Sequence, residues 1–251
     1  MRGLVRAEFC AADDIVASEP HDATRDLLHR ETGIVVTTEN LKVARESATI
    51  LIAVKPGVVL QVLREIASEV ADKQIISLAA GVRLESMEQS GPARFMRAMT
   101  NIPSAVCEAA TAIAPGAKTT PDDLAFAREM FAAIGSVADV EENQIDAVTA
   151  LAGSGPAFVY SVIEALAAGG ENKGLSRETA LRLATQTVLG AARFALENEL
   201  SPEELRRMVV TPGGTTAAGL EAMDQYKVGK GLAAAVEAAA VRGREMAQEN
   251  V

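Results

Sequence analysis

"TILIAVKPGVVLQVLREIASEVADKQIISLA", residues 49–79, holds two β-branched apolar runs, Thr49–Val54 and Gln74–Ala79, on either side of a stretch with helical spacing. In that stretch Val58, Val62, Leu63, Ile66 and Val70 fall on one face of a 3.6-residue period. Strand, helix and strand in this order indicate a βαβ unit and a parallel sheet. The same alternation continues outward, with further strands expected at Ile15–Ser18, Ile34–Thr37, Arg94–Met99, Thr111–Ala114 and Val137–Val140.

From about residue 143 the β pattern stops. "SRETALRLATQTVLGAARFALEN" begins at an N-cap, Ser176, and "SPEELRRMV" carries Ser201 as N-cap, Pro202 at the first helical position and Glu204 completing a capping box. "GLAAAVEAAAVRGREMAQE" closes the chain as an Ala-rich helix, a composition that lets helices approach closely. The predicted fold is α/β: a Rossmann-like, mostly parallel sheet domain over residues 1–142, then an all-α helical domain over 143–251.

Composition bounds the function. Hydrophobic residues make up 49% of 251, which excludes a disordered chain, while 3% aromatics and no Trp call for close helix packing. A net charge of −10 argues against nucleic acid as a partner. Cys10 and Cys107 make no disulfide framework, which suits a reducing compartment, and they lack metal-ligand spacing to His21 and His29. No signal peptide is read, and no apolar run approaches the roughly 18 residues of a membrane span. A soluble, cytoplasmic protein is expected, with no metal and no membrane or nucleic-acid partner.

Ligands of an open parallel sheet bind outside the carboxyl ends of its strands. Three strand ends carry informative residues: Ser18-Glu19-Pro20, Lys55-Pro56 and Thr100-Asn101. Singly each reads as a solvated strand end; together they favour a nucleotide-binding edge. The G-x-G-x-x-G loop of such a fold is missing. "MRGLVRAEFCAADDIVASEP" opens the chain like the tail of the helix after that loop, so the first strand and its glycines would lie before Met1. Without that strand two neighbours should be left unpaired. Gly153-Ser154-Gly155, followed by Pro156, has helical flanks and is no phosphate loop.

"RRMVVTPGGTTAAGLEAM", residues 206–223, interrupts two helical stretches with two glycines and three threonines. One reading is a helix C-cap followed by a threonine N-cap. The other is an anion cradle, in which glycines admit a carboxylate or phosphate to the amides of a helix start.

"ALAGSGPAFVYSVIEALAAGGENKGLSRETALRLATQTVLGAARF" followed by "VVTPGGTTAAGLEAM" resembles the C-terminal domain of the pyrroline-5-carboxylate reductase family, and "AVKPG" and "RAMTNIPSAV" resemble its nucleotide-domain signatures. The resemblance covers essentially the whole chain. It implies reduction of Δ1-pyrroline-5-carboxylate to L-proline by NADPH or NADH, the last step of proline biosynthesis. It places the substrate carboxylate on the backbone amides of the loop Gly213, Gly214, Thr215 and Thr216, and the hydroxyl of Thr216 at the ring nitrogen as the catalytic group, with Glu199 near the substrate. Ala53, Val54, Lys55, Pro56 and Asn101 would line the nicotinamide side, and Ser18, Glu19 and Asn40 the adenosine ribose. Glu19 would repel a 2′-phosphate, which leans toward NADH. Gly153 to Pro156 are expected to shape a helix bend and close packing. The helical domain would be the dimerisation and substrate domain, giving a homodimer or a larger homo-oligomer such as a decamer.

Two other readings compete. A β-hydroxyacid reductase shares this layout but relies on a lysine in its interdomain helix, and "IDAVTALAGSGPAFVYSVIEALAAGG" has none. An oligomeric scaffold that lost cofactor binding fits the missing glycine loop, but not the retained Lys55, Asn101 and Thr216. The missing loop leads to the expectation that the natural protein begins upstream of Met1.

Overall fold

The computed structural model describes residues 1–249. Every strand expected from the sequence forms: β1 (Val16–Ser18), β2 (Val35–Thr37), β3 (Thr49–Ile52), β4 (Gln74–Ser77), β5 (Arg94–Met99), β6 (Ala109–Pro115) and β7 (Gly135–Asp139). Among them lie α1 (Arg2–Arg6), α2 (Asp22–Thr32), α3 (Asn40–Glu46), α4 (Val59–Ile66), α5 (Leu84–Glu88) and α6 (Pro121–Ala132). After the last strand come α7 (Ile145–Val148), α8 (Gly155–Glu171), α9 (Arg177–Glu197), α10 (Pro202–Met208), α11 (Thr215–Gln225) and α12 (Val228–Glu249).

The strands form two sheets rather than one. β1 and β2 pair in parallel, and β3-β4-β5-β6-β7 form a separate five-stranded sheet. The division falls where a doubly wound sheet places its first strand, and β1 and β3 each keep an unpaired edge among the described residues, the two unpaired neighbours expected from the sequence. β3, β4 and β5 run parallel, with Ile50 opposite Ile75 and Ile75 opposite Phe95. β6 runs antiparallel to β5 because a single 3₁₀ turn, Ile102–Val106, joins them, and a parallel return needs about a dozen residues or more.

Helices cover both faces of the larger sheet. Val59, Leu63 and Ile66 of α4 pack with Val70 on Ile50, Ile52, Ile75 and Phe95. On the opposite face Ala127, Met130 and Phe131 of α6, with Leu4 of α1, cover Ile76, Met96, Ala98 and Ile113. Each large apolar side chain so buried contributes about 1.5–3 kcal/mol. The expected apolar face of α4 is corrected at its start. A 3₁₀ turn over Pro56–Val58 delays the helix, so Val59 is buried and Val58 stays 39% exposed.

Two compact units emerge: residues 1–156 with the end of α12 from Ala238, and residues 157–237. The boundary lies inside α8 rather than at the change of secondary structure near 142. Ile145 of α7 is the reason on the sheet side, packing with Met99 and Ala114 of β5 and β6. The helical unit has a small core, Ala167, Ala180 and Ala184 with Ile163. Its caps are those expected: Ser176 accepts from the Thr179 amide at 3.2 Å, and Ser201 and Glu204 form a reciprocal box. The helical run Glu142–Glu171 spans 30 residues with a mean hydropathy of 1.3 over 18 of them. By length and apolarity it could cross a membrane, which corrects the expectation that nothing in the chain is long enough.

Candidate functional site

Parallel strands bring their carboxyl ends to one edge, and the register of β3, β4 and β5 does so here. Beyond β3 the backbone passes through Ala53, Val54 and Lys55, all exposed, into the Pro56–Val58 turn. The Lys55 ammonium makes no ion pair or hydrogen bond among the described residues, while its carbonyl accepts from the Val58 amide at 3.0 Å. Beyond β5 come Asn101 and the Ile102–Val106 turn. Val54, Val58, Ile102 and Val106 are exposed at 38, 39, 76 and 52%, apolar surface at the ends of the two strands that also carry Lys55 and Asn101. A free cation among exposed apolar side chains suits a flat, half-apolar ring attached to an anion. The residues present therefore fit the nicotinamide end of a dinucleotide.

The residues expected at the adenosine ribose lie on the small sheet and just beyond it. Ser18 ends β1, and Glu19 follows it with its amide bonded to Thr37 O at 2.9 Å. The Glu19 carboxylate accepts from the His21 amide at 2.9 Å through one oxygen, leaving the other free to meet a hydroxyl. Asn40, in the first turn of α3, donates its amide to Glu65 at 2.9 Å, so part of its hydrogen-bonding capacity is already taken.

Asn101 is the most constrained of these residues. Its Oδ1 accepts from the Ala110 amide at 3.1 Å, and its Nδ2 donates to the Ala152 carbonyl at 3.1 Å. Sequence reasoning missed both partners. It also missed Arg97, whose guanidinium is only 3% exposed and donates from Nη1 to Glu142 at 3.2 Å. Glu142 accepts from the Leu84 amide too, so this one carboxylate joins β5 to the start of α5. Burial lowers the Arg97 pKa, and Glu142 opposes that shift. The signal available was Arg97 itself, a cation inside an otherwise apolar run, which must be paired when the strand is buried.

In the helical unit the Thr-Pro-Gly-Gly-Thr-Thr segment is a tight turn entering α11. The Gly214 amide bonds back to Thr211 O at 2.9 Å, and Gly213 has φ +72°, the left-handed region that glycine favours. Gly214 is the N-cap, and no side chain caps the helix. This corrects the reading of a threonine N-cap: neither Thr215 nor Thr216 occupies that position. The first intrahelical bond runs from Ala218 to Gly214, so the amides of Thr215, Thr216 and Ala217 have no helix acceptor. Bare amides at the positive end of a helix are what a carboxylate requires. Thr216 stands half-buried in that first turn. Glu199 lies exposed in the loop between α9 and α10, with no hydrogen bond or ion pair among the described residues.

Comparison with known proteins gives the family of the chain. The model for pyrroline-5-carboxylate reductase dimerisation matches residues 142–246, and that for NADP oxidoreductase, coenzyme F420-dependent, matches residues 1–81. A pyrroline-5-carboxylate reductase of Methanosarcina acetivorans is 42% identical over 99% of this chain and 92% of its own. The chain belongs to the pyrroline-5-carboxylate reductase family. The fold of this reductase-family chain agrees with solved structures. That of a Plasmodium falciparum pyrroline carboxylate reductase with NADP bound superposes with a TM-score of 0.88 at 27% identity, covering 98% of this chain and 92% of that one. A Coxiella burnetii pyrroline-5-carboxylate reductase gives 0.89 at 33% identity, covering 97 and 92%. The matched dimerisation region begins at Glu142, the start of the apolar 30-residue helical run.

Proposed function

We infer that the chain reduces Δ1-pyrroline-5-carboxylate to L-proline with NAD(P)H, completing proline biosynthesis. The observation that carries this reading is the uncapped start of α11 behind Gly213 and Gly214, within a chain of this family. NAD(P)H supplies the hydride that adds to the ring carbon of the C=N bond. The protein's own task is then to hold and orient. The amides of Thr215 and Thr216, with the room left by Gly213 and Gly214, bind the substrate carboxylate. The Thr216 hydroxyl meets the ring nitrogen, where it orients the protonated imine and then the amine formed from it. Glu199 belongs to the substrate side in this reading. Ala53, Val54, Lys55 and Pro56 form the nicotinamide wall, with Asn101 holding the strand end beside it, and Ser18, Glu19 and Asn40 form the ribose contacts.

The working form is a homodimer or a larger assembly such as a decamer, built through the helical unit. Its location is the cytoplasm, which the free thiols of Cys10 and Cys107 suit. The test is oxidation of NADPH and NADH by the 251-residue chain, driven by pyrroline-5-carboxylate. Substrate-dependent oxidation with proline as product is expected. A folded chain that binds a proline analogue but neither nicotinamide cofactor overturns the reading in favour of a scaffold.

A further inference from the structure

The Gly-Ser-Gly-Pro motif, residues 153–156, has no part in the reaction as described so far, yet its geometry is specific. The helical run that starts near Glu142 loosens into a π turn over Thr149–Gly153, where Ser154 donates to Thr149 O at 2.9 Å, five residues back. In a regular helix the Ala152 carbonyl would accept from residue 156. That residue is proline and has no amide proton, so the carbonyl loses its helix partner. The donor that reaches it is Asn101 Nδ2, at 3.1 Å from the end of β5.

The other end of the same side chain is also fixed, by the Ala110 amide at the start of β6. One partner is an amide donor and the other a carbonyl acceptor, so the orientation of the Asn101 amide is unambiguous. The approach is close as well. A Cβ on Gly153 would stand 3.3 Å from the Met99 sulfur, so the helix passes against the last residue of β5. Thus Pro156 vacates a carbonyl, Gly153 admits the strand, and Asn101 closes the joint.

We propose that Asn101 is a positioning residue, whose amide fixes the carboxyl end of β5 to the π turn by occupying the carbonyl that Pro156 leaves unpaired. It acts through the Thr100–Val106 backbone it holds, at the edge where the nicotinamide is read to lie, and so rests on the function inferred above. The bond needs an amide. An aspartate at 101 would lose the donor and set its charge against the Ala152 carbonyl, whereas Pro156→Ala would offer that carbonyl a helix donor and release Asn101.

The test is a double-mutant cycle on the full chain with Asn101→Ala, Pro156→Ala and the pair, read by kcat, by KM for NADPH and by Tm. A displaced strand end should lower kcat of Asn101→Ala by up to about 100-fold, with KM for NADPH changed far less. Pro156→Ala should lower kcat in the same direction, and the pair should be no worse than Asn101→Ala alone. Asn101→Asp should lower kcat at least as far as Asn101→Ala. Multiplying effects in the pair overturn the proposal, as does a Pro156→Ala enzyme with unchanged kcat. A rise in KM for NADPH that outweighs the loss in kcat also overturns it, because Asn101 would then touch the cofactor instead. The Tm cycle needs no turnover. If the unmutated chain proved inactive, the inferred function would fall, while coupling in Tm would still report the joint and additivity in Tm would still refute it.

Discussion

A Cβ placed on Gly214 would stand 2.3 Å from the Thr211 hydroxyl oxygen and 3.1 Å from the Thr211 carbonyl oxygen, well inside contact distance. The turn as it stands therefore takes a side chain at 214 only if Thr211 gives way. Gly214→Ala should push the turn open and misplace the amides of Thr215 and Thr216, so that KM for pyrroline-5-carboxylate rises about tenfold or more, as loss of a charge-assisted hydrogen bond implies. Thr211→Ala in the same chain removes the nearer clash and should restore part of the loss. Unchanged substrate kinetics in Gly214→Ala would detach the turn from the substrate.

Thr216 offers a hydroxyl in the first turn of α11, beside amides that no helix acceptor occupies. Thr216→Ala keeps the backbone and removes only the hydroxyl. Turnover should fall about 100-fold if the hydroxyl handles the ring-nitrogen proton, with NADPH affinity held within about twofold. Thr216→Ser should retain most of the rate. Steady-state kinetics beside a fluorescence titration of NADPH separate the two effects, and an equal kcat/KM in Thr216→Ala would remove the assigned role.

Much of this fold is written in local pattern. The Arg94–Met99 strand and the Ser176 and Ser201 caps stand where the residues put them, because a short apolar run and capping chemistry act over a few residues. The division of the sheet between β1 and β3 falls where a doubly wound strand order puts its first strand. The 3₁₀ turn before α4, which exchanges Val58 for Val59 in the core, depends on how Pro56 leaves the strand, and periodicity does not register a delay of one residue. The Asn101–Ala152 bond joins positions far apart in sequence. Its one legible trace is Pro156, four residues after an orphaned carbonyl.

The helical unit leaves large apolar side chains in solvent: Leu189 is 56% exposed, Phe194 50% and Leu196 79%, all on α9. With Leu181 and Leu183 these make five exposed large apolar residues on one helix, and within the matched dimerisation region they point to cover by a second copy. Leu189→Asp should shift the chain toward monomer by light scattering at micromolar concentration, and activity should fall with dissociation. An unchanged mass would place the contact elsewhere on the unit.

Asp123 grips Arg94 with both carboxylate oxygens, at 2.6 and 2.9 Å, and accepts from the Thr120 amide and hydroxyl at 2.9 and 2.7 Å. The pair ties the start of β5 to the first turn of α6. The Arg94 guanidinium holds the Asp123 carboxyl well below the usual carboxylate range, and the Thr120 bonds assist. A depressed folded pKa means the stabilisation is complete above the unfolded value of about 4 and is lost as pH falls below it toward the folded value. Arg94 is 27% exposed, so breaking the pair with Asp123→Asn should cost about 2–3 kcal/mol at neutral pH, less than a fully buried pair would. That corresponds to a Tm lower by about 4–12 °C for a chain of this size. The difference between wild type and Asp123→Asn should then narrow as the pH is taken from 5 to 3, because in the wild type alone the unfolded chain takes up a proton at this carboxylate while the folded chain keeps it ionised. Calorimetry across that range decides it, and parallel acid limbs for the two proteins would show that Asp123 titrates normally.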